Sequence, residues 1–173
     1  MAYNKKAVLA ANTEAIRVVL RLEKEHRPAT EAEKRILRSY QGFGGLKCVL
    51  NRTDTPADIR YWSKSEQELF APTQQLKQMI YREAVDAHTA KRYWESIKAS
   101  VLTSFYTDRR IVSAISDALA TSGVTLKRCL DPSSGMGAFA ETFAKQTGIV
   151  DALEKDLLTA RISQALHLSL IHI

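Results

Sequence analysis

Apolar residues recur at helical spacing over roughly the first hundred positions, then give way to short apolar runs punctuated by glycine. Residues 4–26 put Val8, Ala15, Val19 and Leu22 on one face, which predicts a helix that Arg27-Pro28 ends. Thr30 can cap a second helix, with Glu33 three residues on as its reciprocal capping-box partner. That helix carries Ile36, Leu37 and Tyr40, and Gly42 is placed to terminate it. The run "YQGFGGLKCVLN" then reads as a helix end and chain reversal around Phe43 rather than a phosphate contact.

Residues 51–62 lack periodicity and read as a loop. Ser63 and Glu66 form a further capping-box pattern, opening a short helix that Pro72 breaks. Residues 74–100 are periodic again, with Met79, Ile80, Val85, Tyr93 and Ile97 as the expected buried set. Arg60-Tyr61-Trp62 recurs as Arg92-Tyr93-Trp94. Paired basic and aromatic side chains can stack bases and neutralise phosphates, but aromatics at helical spacing are expected first of all in a core.

The pattern changes after "LTSFYTDRR". Residues 109–121 predict a helix capped by Thr107 or Asp108, and "VTLKRCL" predicts a strand through Val124, Leu126, Cys129 and Leu130. Phe139 to Lys145 are helical, and "GIVDALEKD" is a second strand ending near Glu154. Strand, glycine loop, helix and strand in about 35 residues are the opening of a doubly wound sheet. The expected fold class is therefore α/β: a helical region over residues 1–100, then the first part of a Rossmann-like domain over 101–167.

Composition places limits on this picture. The 173 residues are 45% hydrophobic and 25% charged, the balance of a globular chain. No apolar run approaches the roughly 20 residues that cross a bilayer, and the N-terminus has no secretory pattern. Cys48 and Cys129 lie far apart and the four histidines are scattered, so no metal site and a reduced, cytoplasmic setting are expected. The net charge of +6 is uneven: residues 1–110 carry 20 Lys and Arg against 13 Asp and Glu, and residues 111–173 carry 5 against 6. A basic front half suits an anionic partner, nucleic acid first, or else a well-solvated helical surface.

The most informative stretch is "LDPSSGMGAF", Leu130 to Phe139. Gly135 through Ala140 fit the G-x-G-x-x-A form of a dinucleotide fingerprint. However, Asp131 stands at the strand end, and a carboxylate there repels a pyrophosphate. Like charges about 4 Å apart cost roughly 1 kcal/mol in water and about 4 at an effective dielectric of 20. The same carboxylate attracts an ammonium or a sulfonium, which points to S-adenosyl-L-methionine. Gly135 and Gly137 would let the backbone approach the ligand. Glu154, about 20 residues beyond the loop, stands where an acid binds ribose hydroxyls.

These segments carry a family resemblance. "SFYTD", "LDPSSGMGAF" and "VDALEKD" resemble three consecutive motifs of adenine-N6 DNA methyltransferases. The resemblance implies S-adenosylmethionine contacts from Tyr106, Thr107, Asp131, Pro132, Gly135, Gly137, Phe139 and Glu154, with Asp156 assisting near the adenine. One departure is Asp108, where that family usually has proline after the threonine. The front half, "EAIRVVLRLEKEHRPATEAEKRILRSYQGFGGL", resembles the start of long methylase–helicase fusions of phages and conjugative elements, through Pro28-Ala29-Thr30 and Tyr40 to Leu46. This implies a bacterial mobile element and double-stranded DNA as partner through the basic half; the lack of a long apolar run separately leads to the expectation of no membrane partner.

The family's Asn/Asp-Pro-Pro-aromatic catalytic loop does not occur in the sequence, and no helicase motif does either. No residue here is therefore assigned to catalysis, and the chain by itself is expected to be inactive. "LSLIHI", residues 168–173, is also the translation of a transposon mosaic end used in library adapters, which makes the tail an expected adapter product rather than a β-prone C-terminus. Two other functions fit parts of the pattern. The glycine fingerprint with Glu154 fits an NAD-binding oxidoreductase fragment, and the basic helices fit a non-catalytic DNA-binding module.

Overall fold

A computed structural model describes residues 4–147, 149–166 and 171–172. The chain is α/β and mostly helical, with a small parallel sheet toward its C-terminal end. Its contacts divide into two units, Met1–Ser104 and Phe105–Ile173, against an expected boundary near residue 100.

Among the described residues the first unit holds four α-helices: α1 (Lys5–Glu25), α2 (Glu31–Leu37), α3 (Phe70–Glu83) and α4 (Ala87–Ser100). Asn4 opens α1 by accepting the Ala7 N–H at 3.0 Å. His26 closes it in the left-handed region, at φ 48°, with its N–H returned to the Leu22 carbonyl. Leu9, Ile16, Val19 and Leu20 are buried, and the helix packs on α2 and α3. Fully buried Asn12 lies among them. Its Nδ2 donates to the Gly42 carbonyl at 2.6 Å and its Oδ1 accepts the Gln41 N–H at 2.9 Å. One amide thus bonds at both ends and ties the turn after α2 to α1.

The capping box at Thr30 forms. Glu33 N–H donates to Thr30 Oγ1 at 3.3 Å, and Thr30 N–H donates to Glu33 Oε2 at 2.9 Å. Arg27 forks onto the same carboxylate at 2.8 and 2.7 Å. This guanidinium first, and the Thr30 N–H second, hold the Glu33 carboxyl well below the ordinary range. The helix stops at Leu37, ahead of Gly42. The reason is competition: Ser39 Oγ donates to the Ile36 carbonyl at 2.6 Å, and Asn12 engages the backbone of Gln41 and Gly42.

The segment expected as a loop at 51–62 contains a 3-10 helix, Pro56–Tyr61. Asp58 starts it by accepting the Thr55 N–H at 2.8 Å, a local device that carries no hydrophobic period. The Ser63–Glu66 box does not form. Ser63 Oγ pairs with Ser65 Oγ at 3.2 Å, and the Glu66 carboxylate lies 3.5 Å from Lys5 Nζ. Pro72 does not break a helix but stands in the first turn of α3, where its missing N–H would have had no intrahelical acceptor. Residues 74–100 are two helices rather than one. Asp86 accepts the Thr89 N–H at 2.6 Å and starts α4 afresh. Val85, expected in the core, is consequently exposed, whereas Met79, Ile80, Tyr93 and Ile97 are buried. Of the two aromatic triplets, Trp62, Tyr93 and Trp94 are buried and Tyr61 is exposed.

In the second unit, α5 (Arg109–Thr121) is capped by Asp108, which accepts the Arg110 N–H at 2.8 Å. The Arg110 guanidinium beside it draws the Asp108 carboxyl down to about 2. Next come β1 (Cys129–Asp131), α6 (Ala138–Thr147), β2 (Val150–Leu153), α7 (Leu157–Leu166) and the two-residue β3 (Ile171–His172). The strands are parallel in the order β1-β2-β3, with Cys129 opposite Val150 and Asp131 opposite Ala152. Val112, Ala140, Phe143, Val150 and Ala152 form the core beneath the sheet.

The first strand is shorter than the expected run from Val124 to Leu130. Pairing starts at Cys129, whose N–H donates to the Ile149 carbonyl at 3.1 Å. Leu126 packs on the core without being in the strand, and Val124 and Leu130 are exposed. Gly148, at the expected start of the second strand, lies outside the described residues, as do Leu168 to Leu170 and Ile173 of the tail. Among the described residues no helix is long and apolar enough to cross a membrane.

Candidate functional site

The loop between β1 and α6 carries the chemistry. Asp131 ends β1, and Gly135 and Gly137 both adopt left-handed backbone, at φ 52° and 77°. This conformation costs other residues roughly 1–2 kcal/mol. Ser134 N–H donates to the Leu153 carbonyl at 2.8 Å, tying the loop to the end of β2, and Gly137 N–H donates to the Ser134 carbonyl at 2.8 Å. The Gly137 carbonyl then accepts the Glu141 N–H at 2.8 Å and starts α6.

The separate motifs meet in a closed circuit of contacts. The Tyr106 ring lies against Gly135 so closely that a Cβ there would sit 2.8 Å from its Cδ1 and 2.9 Å from its Cε1. Tyr106 Oη is hydrogen-bonded to Thr159 Oγ1 at 3.1 Å. Thr159 N–H donates to Asp156 Oδ1 at 2.7 Å, and Asp156 N–H donates to Glu154 Oε1 at 2.7 Å. Glu154 Oε2 accepts the Gly135 N–H at 2.7 Å and closes the circuit. Glu154 therefore braces two loops at once, and Asp156 is the N-cap of α7.

Asp131 stands in the same loop but outside the circuit. Its Oδ1 accepts the Ser133 N–H at a long 3.3 Å, and its buried Oδ2 has no hydrogen-bond partner among the described residues. Burial pushes its carboxyl above the ordinary carboxylate value, against the opposing Ser133 N–H. Burial first, and the neighbouring Asp131 charge second, push the Cys129 thiol up as well. A buried acceptor left unbonded costs about 1–3 kcal/mol, so this oxygen is poised for a donor or a positive charge.

No protein-family model, curated protein or solved structure matches this chain. The geometry alone therefore sorts the residues singled out in the sequence. Tyr106, Gly135, Glu154 and Asp156 are brought together; Asp131, Pro132 and Gly137 belong to the same loop, with Pro132 exposed. Phe139 instead stacks on Phe143, 6.1 Å between centroids and 9° between planes, and packs against the core. Thr107 is exposed. Sequence reasoning missed two members. Thr159 joins Tyr106 to Asp156, and Ser134 is buried with its Oγ unbonded among the described residues. Thr159 had a signal, since it follows Asp156 by three residues, the spacing of an N-cap contact. Among the described residues no group of three His, Cys, Asp or Glu side chains is placed to hold a metal ion.

Proposed function

We propose that this chain carries the S-adenosylmethionine-binding part of an adenine-N6 DNA methyltransferase, preceded by a helical region that contacts DNA. The observation that carries this reading is the unbonded Asp131 Oδ2 at the C-terminal end of β1, beside a loop that Glu154 and Tyr106 brace. Ligands of open parallel sheets bind beyond the carboxyl ends of the strands, and Asp131, Glu154 and Asp156 make that end acidic. An acidic site suits a ligand with an ammonium and a sulfonium and disfavours a pyrophosphate. In this reading β1, α6 and β2 belong to a doubly wound sheet.

The residues fit the group. Asp131 would accept from its ammonium. Glu154 spends one lone pair of each oxygen on a backbone N–H and keeps acceptor capacity for ribose hydroxyls. At Gly135 the space of the missing Cβ is taken by the Tyr106 ring, which walls the loop, rather than left for the ligand to approach the backbone. When bound, the cofactor supplies an electrophilic methyl group. This chain binds and orients it, and no residue of the chain is assigned to proton transfer or to the target base.

Titration calorimetry of the full chain with S-adenosylmethionine and, separately, NAD tests the reading. Asp131→Asn is expected to weaken S-adenosylmethionine binding by at least roughly tenfold, the loss of one charge-assisted bond. If wild type instead binds NAD and Asp131→Asn tightens it, the site is a dinucleotide site and the methyltransferase reading fails.

A further inference from the structure

We infer that Tyr61, with the guanidinium groups of Arg52 and Arg60, forms a stacking ledge for an unpaired nucleic-acid base. This rests on the reading of the first unit as the DNA-contacting part, and it names the contact. Tyr61 departs from the other aromatics of the two repeated triplets: Trp62, Tyr93 and Trp94 are at most 5% exposed, whereas Tyr61 is 60% exposed. Burial explains those three and leaves Tyr61 unexplained.

The ring stands on a firm base. It ends the 3-10 helix Pro56–Tyr61. Next to it, the buried Trp62 donates its Nε1–H to the Arg52 carbonyl at 2.8 Å and meets the Phe70 ring edge-on at 5.3 Å. Arg60 Cζ lies 4.7 Å from the Tyr61 ring centroid and Arg52 Cζ lies 6.0 Å from it. An Arg60 Nη also donates to Tyr61 Oη at 2.7 Å. An exposed ring with guanidinium groups beside it presents π surface next to positive charge, the combination on which bases stack while phosphates are neutralised.

Local charges favour an anionic strand. Arg52 is matched by acids, with Asp58 at 3.2 Å and Asp54 at 3.9 Å, and Asp54 also lies 2.7 Å from Lys77, so the charge left for a phosphate is that of Arg60 and Lys64. Arg60 and Lys64 have no acidic partner among the described residues, and both are exposed. An unpaired base fits better than a duplex, because a lone protruding ring can stack on a base only where that base is out of its helix.

The test is fluorescence anisotropy of the full chain with a labelled single-stranded DNA and its duplex, across a salt series. Tyr61→Ala is expected to weaken single-strand binding roughly tenfold and to leave the salt dependence nearly unchanged. Tyr61→Phe should restore most of the affinity, because the ring is kept. Arg60→Gln should weaken binding and reduce the slope against log salt by about 1. Wild-type affinity in Tyr61→Ala, or equal losses on duplex and single strand, overturns the ledge and leaves DNA binding by this unit standing. No DNA binding by wild type overturns both, and calorimetry with S-adenosylmethionine then decides separately whether the cofactor reading survives.

Discussion

At the scale of single residues, one side chain often decides a local conformation. Gly135 needs its missing Cβ twice over, for its left-handed φ and for the Tyr106 ring against it. Gly135→Ala is therefore expected to cost at least about 2 kcal/mol by urea unfolding. The double variant with Tyr106→Ala should recover only the part due to the clash. Asp131 sets stability against binding. Burial raises its carboxyl, so the folded state holds that proton more tightly than the unfolded chain does. Ionisation then removes stability as pH climbs from the ordinary carboxylate value through the folded one, and the cost persists at neutral pH. Asp131→Asn should raise the Tm at pH 7 even as it weakens S-adenosylmethionine binding, and the Tm difference should close as pH falls below the ordinary carboxylate range. Asn12 was invisible as a structural residue in the sequence, because nothing local announces which backbone groups its amide will meet. Asn12→Ala strands the buried Gly42 carbonyl and releases the Gln41 N–H, and should cost about 1–3 kcal/mol in the same unfolding measurement.

At the scale of elements, ends were easier to read than interruptions. The Thr30–Glu33 box and the Asp108 cap follow from side chains within three residues of the backbone they bond. The break at Asp86 was missed because apolar spacing runs on across it, and a cap inside a long period does not disturb the period. Thr30→Ala is expected to cost about 1 kcal/mol. Glu33 responds to pH with the sign opposite to Asp131. Its folded carboxyl is held low, mainly by Arg27, so its stabilisation is complete above the ordinary glutamate range and is lost as pH falls below it. Thermal melts of Glu33→Gln against wild type should show the largest gap near neutrality and convergence in acid.

At the scale of the whole molecule, the contacts fall into two units, and the division along the chain lies between Ser104 and Phe105. Leu102 and Phe105 flank that point, at 78% and 68% exposed. Brief chymotrypsin treatment, followed by mass spectrometry, should therefore cut first after these residues; first cuts inside α1 or α4 would contradict the division. Local chemistry in the sequence was enough to determine the helical character of the front half, the cap at Thr30, a cap at Thr107 or Asp108 ahead of α5, the glycine loop and the acid at the end of the second strand. Each depends on residue type and spacing within a few positions. Tertiary structure alone decided that β1 shrinks to three residues, that α2 ends early against Asn12, and that Tyr106, Gly135, Glu154, Asp156 and Thr159 close into one circuit. Those outcomes rest on partners as far as 53 residues away in the chain. A strand extends only where its neighbour offers hydrogen bonds, and a side chain finds such partners only once the fold has brought them together.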